Sequence, residues 1–266
     1  CIGRGSYGQV WLAKNVLGTH RAVKIINRKT FPAERPYERE FTGIIKFEPI
    51  SRTHPGFVSI LHVGRNQEAG YFYYVMEVAD DQVCGQSFDS HAYIPKTLGS
   101  ELNRRGNLPA EECLRVALSL TTALSYLHGQ GLVHRDIKPS NIIFTNGIPK
   151  FADIGLVSDI GESATFVGTE GYVPPEGPGR PGADIYGLGK VLYEISMGKR
   201  VQEFPELPTD LDGRPDATQY RKLYEVILKA CELNARKRFQ TAQEMHEQLA
   251  KLRPSDAHSG ATPVGS

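Results

Sequence analysis

The chain has 266 residues, enough for one large domain or two small lobes. Its 31 Lys and Arg offset 30 Asp and Glu to a formal charge of +1, which excludes the broad basic field that nucleic-acid binding prefers, so any phosphate recognition must be local. A composition of 40% hydrophobic and 23% charged residues is that of an ordinary globular protein, and no run reaches the roughly 18 apolar residues of a membrane span.

Cys1, Cys84, Cys113 and Cys231 lie far apart and fit no zinc or thioredoxin spacing. They read as reduced thiols in a cytoplasmic setting. No signal peptide is visible, and a chain opening on Cys1 rather than Met reads as a piece of something longer.

In chain order, residues 1–80 read mostly as strands. "QVWLA", "RAVKII" and "YFYYVMEV" are β-branched and aromatic runs separated by turn-like "NVLGTH" and "RNQEAG". One helix is predicted near 36–47, with Glu40, Ile44 and Phe47 at helical spacing and Pro49 as its end. From about 107 the period lengthens. Pro109 suits a first helical turn, Glu111 and Glu112 complement the helix dipole, and Leu114, Ala117, Leu118, Thr121, Leu124 and Leu127 form one stripe. Further helices are predicted over 183–197, with Gly198 as the stop, and over 219–232. A last one opens on Thr241 and Glu244 as a capping box and ends before Pro254. The small, polar stretch 254–266 reads as a linker. The pattern is α+β and bilobal: a strand-rich lobe with one main helix over 1–79, its first strand truncated, then a mainly helical lobe over 80–253, hinged near 77–81.

Several short segments carry chemistry. In "GRGSYGQV", Gly3, Gly5 and Gly8 precede an alternating strand, so the motif reads as a hairpin whose backbone N–H groups can approach phosphate oxygens. On its own such a turn is a weak signal. Lys24 sits mid-strand among Val23, Ile25 and Ile26 and needs an anionic partner; Glu40 is the choice, with Glu38 and Glu48 as rivals. The loop "HRDIKPSN" crowds Asp136, Lys138 and Asn141 around a turn containing Pro139. There one acid can take a proton, a lysine can neutralise phosphate charge, and an amide oxygen can ligate a hard cation. Asp153, after a short strand, completes an oxygen pair suited to Mg²⁺. Asp and Asn also favour turns for bland reasons, but not all of these together and in this order.

The ordered set resembles the eukaryotic-like (Hanks-type) serine/threonine protein kinase family over nearly the whole chain. "GRGSYGQV" resembles the Gly-rich loop, "AVK" the lysine motif, "HRDIKPSN" the catalytic loop, "DIG" the metal-binding motif and "PPE" the segment that shapes a peptide shelf. The resemblance implies ATP and Mg²⁺ (or Mn²⁺) as cofactors, with Asp136 as base, Lys138 on the γ-phosphate, and Asn141 and Asp153 on the metal. Lys24 would grip the α/β-phosphates while paired with Glu40. Ile2, Gly3, Gly5, Gly8, Val10 and Ala22 would cover the nucleotide, with Ile143 below and Ala152 near. Met76 would be the gatekeeper, and the Glu77 carbonyl and Ala79 N–H would meet the adenine edge.

The same resemblance places Thr169 beside Asp136, pairs Glu176 with Arg238, sets Asp184 under the catalytic-loop backbone, and packs His134 in a spine with Ile44 and Ile60. Arg135 before Asp136 implies switching by phosphorylation at Ser163 or Thr165. Protein substrates with Ser/Thr acceptors are implied as partners, and self-association for trans-autophosphorylation is compatible. The terse segment after "PPE" looks bacterial, and bacterial relatives often continue past such a linker into a membrane anchor. The departures are Ile154 for the usual aromatic, "PPE" for the usual "APE", an extended stretch between Glu40 and His54, and a short span from Glu176 to Asp184. The alternatives are a pseudokinase-like ATP-binding scaffold, disfavoured because Lys24, Asp136 and Asp153 are all present, and a small-molecule kinase, disfavoured by the "GT…PPE" segment.

Overall fold

A computed structural model describes residues 1–5, 8–153, 158–160 and 168–253. Ser163, Thr165, Ile154 and the stretch 254–266 lie outside the described residues. The first lobe is a five-stranded antiparallel sheet in the order β1-β2-β3-β5-β4: β1 Gly3–Gly5, β2 Gly8–Lys14, β3 His20–Asn27, β4 Ile60–Asn66 and β5 Tyr71–Met76. The expected strands are those of β2, β3 and β5. The sequence reading misses β4, whose "HVGRN" breaks the alternation. Gly64 sits opposite Tyr73, and a Cβ there would lie 2.5 Å from the Tyr73 ring, so the strand trades a side chain for an aromatic neighbour.

One helix, α1 (Glu34–Ser51), packs on this sheet and buries Tyr37, Glu40, Ile44 and Phe47. It begins before the expected 36 and runs past Pro49. Proline removes one amide donor but does not stop a helix whose end is held by other groups. Ser51 Oγ donates to Glu48 O at 2.7 Å and accepts from Ile60 N–H at 3.0 Å, tying the last turn to β4.

The second lobe contains α2 (Leu98–Arg105), α3 (Ala110–Gly129), α4 (Pro181–Met197), α5 (Ala217–Ala230) and α6 (Ala242–Ala250). It also carries the short hairpins β6 (Leu132–Val133) with β9 (Ser158–Asp159) and β7 (Ile142–Thr145) with β8 (Ile148–Phe151). The predicted α3 stripe is buried throughout, with Pro109 as the residue before the helix rather than in its first turn. Helix α4 is buried on every side, which reads in sequence as a nearly continuous apolar run, and Gly198 ends it at φ 69° in the left-handed region. Thr241 caps α6 by accepting from Glu244 N–H at 3.0 Å, while Glu244 reaches back to Gln240 N–H at 2.9 Å. All four cysteines are free. No helix among the described residues is long and apolar enough to cross a membrane.

Arg238 fastens this lobe. Its side chain is fully buried, and it donates to Glu176 Oε1 at 2.6 Å, Gly182 O at 2.7 Å and Glu232 O at 2.8 Å, joining the segment before α4, its first turn and the end of α5. Glu176 is one-third exposed, so water can replace part of what it loses, whereas the two carbonyls have no substitute donor. Arg238→Lys is therefore expected to cost roughly 2–4 kcal/mol of unfolding free energy and Glu176→Gln about half of that. Urea denaturation of the two variants checks this, and equal losses would contradict it.

Candidate active site

Between the lobes lies a cavity of about 360 Å³. Ile2, Gly3, Gly5, Val10, Ala22 and Lys24 line its roof; Met76, Glu77 and Ala79 its rear; and Lys138, Asn141, Ile143, Ala152 and Asp153 its floor. Every expected nucleotide-contacting residue borders it except Gly8. Gly8 pairs with Ile26, and a Cβ there would come within 2.5 Å of Ile25 O, so its role is close strand packing. Gly5 has the approach role: a Cβ would lie 3.2 Å from Asp153 Oδ2 and 3.7 Å from Lys24 Nζ, directly over the charged floor.

The floor is built from two short loops. Asp184, buried in the first turn of α4, accepts from the His134 and Arg135 N–H groups at 2.8 Å each and meets His128 Nε2 at 2.9 Å. These bonds hold Arg135 at φ 73°, an uncommon conformation for a side chain larger than glycine, and so fix the turn that sets Asp136 against Lys138 and Asn141, both of which line the cavity. Asp136 Oδ1 accepts from Thr169 Oγ1 at 2.8 Å, and Oδ2 accepts from Asn141 Nδ2 at 2.8 Å. Lys138 Nζ sits 2.9 Å from Asp136 Oδ2 and donates to Thr169 Oγ1 at 2.8 Å. Because Asn141 spends its amide hydrogens on the Asp136 carbonyl and carboxylate, its amide oxygen remains as a hard donor. Asp153, at φ 52°, supplies the carboxylate across the same cavity, so the donor set fits a small oxygen-seeking cation.

His134 is wholly buried against Phe151, with ring centroids 5.1 Å apart, and burial pushes its imidazole below the usual range. A neutral, enclosed ring fits packing rather than proton transfer. Ile44 and Ile60 are buried in the same core.

Lys24 pairs with Asp153 rather than with Glu40. Burial pulls the lysine down more than any single neighbour pushes it up, but Asp153, Tyr74 and Glu40 together overcome burial and hold it above the ordinary range. Asp153 is held low: burial pushes its carboxyl up, and the charge and hydrogen bond of Lys24, with Lys138 and His134, together pull it further down. The rivals for Lys24 are engaged elsewhere, Glu38 with Arg65 and Glu48 with Arg52. Glu40 is the one of the three that faces Lys24, yet its Oε2 is buried with no hydrogen-bond partner among the described residues. The expected pair is thus open here: burial pushes the carboxyl up to about 7, Lys24 pulls against that, and Asp153 adds to it.

Sequence reasoning missed six lining residues: Arg4, Tyr74, Tyr93, Pro95, Thr97 and Ser140. Tyr74 lies opposite Lys24 across β3 and β5, with its phenol raised by burial and pulled down by the lysine. Tyr93, Pro95 and Thr97 come from the segment between the hinge and α2. Cross-strand register with Lys24 was the available signal for Tyr74; no periodic signal pointed to the others.

A family model of the protein kinase domain matches residues 1–258. The chain belongs to the protein kinase domain family. It is 33% identical over 218 residues to the serine/threonine-protein kinase PknA of Mycobacterium tuberculosis, covering 75% of this chain and 46% of that protein. It is 32% identical over 219 residues to the 3-phosphoinositide-dependent protein kinase 1 of Arabidopsis thaliana, covering 74% of this chain and 40% of that one. A match to the serine/threonine-protein kinase PknG of Mycobacterium leprae is 29% identical over 94% of this chain and 32% of the other. The chain therefore spans less than half the length of these curated relatives.

The raised Glu40 makes a pH prediction. Its folded pKa of about 7 exceeds the unfolded value of 4.5, so folding is unpenalised below 4.5, where both states hold the proton. Stability is lost as pH rises from 4.5 to about 7, because only the unfolded state gives up its proton freely, and the loss is constant above that. Glu40→Gln removes the penalty, and the variant is expected to gain roughly 1–3 kcal/mol on wild type between pH 5 and pH 8. Urea unfolding at the two pH values measures it; a difference between variant and wild type that does not change with pH would contradict it.

Proposed function

We propose that this chain is the catalytic domain of a serine/threonine protein kinase that transfers the γ-phosphoryl group of ATP to Ser or Thr hydroxyls of protein substrates. The observation that carries the reading is the Asp136 cluster: one carboxylate fixed by Thr169, Asn141 and Lys138, the last two of which line a cavity that Lys24 closes from its roof and Asp153 from its floor.

In this reading the acceptor hydroxyl oxygen forms the new bond to the γ-phosphorus as the bond to the β–γ bridging oxygen breaks. ADP leaves, and the hydroxyl proton passes to Asp136. Thr169 and Asn141 fix the two carboxylate oxygens, which orients the base, and Lys138 offsets charge on the moving phosphoryl group. Asn141 and Asp153 would hold Mg²⁺, which supplies charge neutralisation of the β/γ-phosphates when bound. Lys24 would serve the α/β-phosphates under the Gly5 backbone. Among the described residues, Glu77 O and Ala79 N–H make no hydrogen bond, so both can receive an adenine edge. The Ser/Thr assignment is supported by Lys138 in the catalytic loop and by the names of the relatives. A cytoplasmic setting, where ATP and free thiols coexist, fits the four unpaired cysteines.

Intact-mass measurement with Mg²⁺ and ATP tests the reading. Wild type is expected to gain mass in single-phosphate steps on Ser or Thr, and Asp136→Asn to lose at least about a hundred-fold in rate while still binding ATP. Wild type that binds ATP yet gains no phosphate and modifies no Ser/Thr peptide would overturn the transferase reading in favour of a nucleotide-binding scaffold.

A further inference from the structure

The segment between the hinge and α2 is a built wall. Asp81 Oδ1 accepts from the Val83 and Cys84 N–H groups at 2.9 and 2.8 Å, and Oδ2 accepts from Ile94 N–H at 2.9 Å, so one carboxylate pins both ends of the loop. Gln82 N–H donates to Ile94 O at 2.8 Å, closing the same neck. From this neck an aromatic chain crosses toward the sheet. Tyr93 packs on Phe88 with centroids 4.4 Å apart, and Phe88 meets His20 of β3 at 5.0 Å. The loop is thereby braced on the first lobe while rooted beside the second.

Tyr93 is only 8% exposed, borders the cavity, and donates its hydroxyl to Ala79 O at 3.1 Å. Burial, with Asp81 and Asp80 nearby, pushes this phenol well up, so it stays a donor at neutral pH. The geometry matters because of how a purine meets a hinge. With N6 donating to Glu77 O and N1 accepting from Ala79 N–H, the next atom along the ring edge, C2, faces Ala79 O. That oxygen is the one Tyr93 already occupies.

We propose that Tyr93 is a specificity-determining residue of the nucleotide site, selecting purines that carry hydrogen at C2 over those that carry a 2-amino group, guanine included. The inference rests on the ATP reading above. A 2-amino group would bring a second donor to an oxygen that already accepts from Tyr93, crowding it against a tyrosine ring packed on Phe88, which His20 backs. A purine with C2–H asks nothing of that oxygen.

Calorimetric binding of ATP and of 2-aminoadenosine triphosphate, to wild type and to Tyr93→Phe, tests it. Tyr93→Phe keeps the ring and its packing, removes the hydroxyl and frees Ala79 O. Wild type is expected to prefer ATP, and the ratio of the two dissociation constants is expected to shift toward the 2-amino analogue by about 3- to 10-fold in the variant, the range of one net hydrogen bond. A general loosening of the fold would weaken both nucleotides alike and leave the ratio unchanged, so the ratio isolates the specificity role. Wild type that binds both nucleotides with a ratio unmoved by Tyr93→Phe overturns this proposal alone. Wild type that binds neither overturns the ATP reading and this proposal with it.

Discussion

A carboxylate taken wholly out of water must find donors, and Asp184 finds them on the strip of backbone that carries the site. Its bonds to the His134 and Arg135 amides hold a left-handed residue in place, and that bend is what presents Asp136. Helix α4 is buried on all sides, so the anchor itself has nowhere to move. Gly187, one turn further along, sits close under the same loop: a Cβ there would lie 3.3 Å from Ile137 Cβ and from Tyr172 O. The stability of the second lobe and the placement of the Asp136 carboxylate are therefore one packing problem, solved around α4, with Arg238 fastening the start of the helix to the elements around it.

The roof obeys a different constraint. The first lobe has to place a lysine in an apolar strand, where an isolated charge is untenable. Lys24 is stabilised by Asp153, 129 positions away, rather than by a neighbour within its own lobe. A charge pair thus bridges the two lobes across the cavity, and Gly5 lies close over it. Lys46 of α1 makes a second bridge to Asp159 on β9, so the helix of the first lobe is also linked to the second.

The legible part of the sequence was the part whose signal is contiguous. The buried stripe of α3 repeats over twenty residues, and the catalytic loop and the segment through Asp153 place their functional groups within a few positions of one another. The opaque parts depend on distance in the fold. Helix α2 is eight residues long and opens on a Thr97–Ser100 cap, too short for a period to emerge. The wall around Tyr93 carries no alternation, because hydrogen bonds to Asp81 rather than an apolar face set its shape. The partner of Lys24 could not be read either. Glu38, Glu40 and Glu48 all lie on one helix, and only the position of that helix decides which faces the lysine and how closely.

The choice among anions for Lys24 decides how the proposed kinase would work. With Asp153 on Lys24 and Glu40 Oε2 without a hydrogen-bond partner among the described residues, one closed pair lines the cavity and one buried carboxyl beyond it resists ionisation near neutrality. On the ATP reading, both members of the pair have work elsewhere, Asp153 toward the cation and Lys24 toward the phosphates. Releasing Asp153 removes the negative charge that adds to the rise in Glu40 and leaves Lys24 as its main electrostatic neighbour, which favours the ionised carboxylate. Nucleotide and Glu40 thus compete with Asp153 for the same lysine. An arrangement that opens one pair as it closes another keeps the buried charge partnered throughout, which is the condition a low-dielectric site imposes. The open Lys24–Glu40 pair and the closed Lys24–Asp153 pair are then two faces of one constraint: a single buried cation with more than one anion within reach.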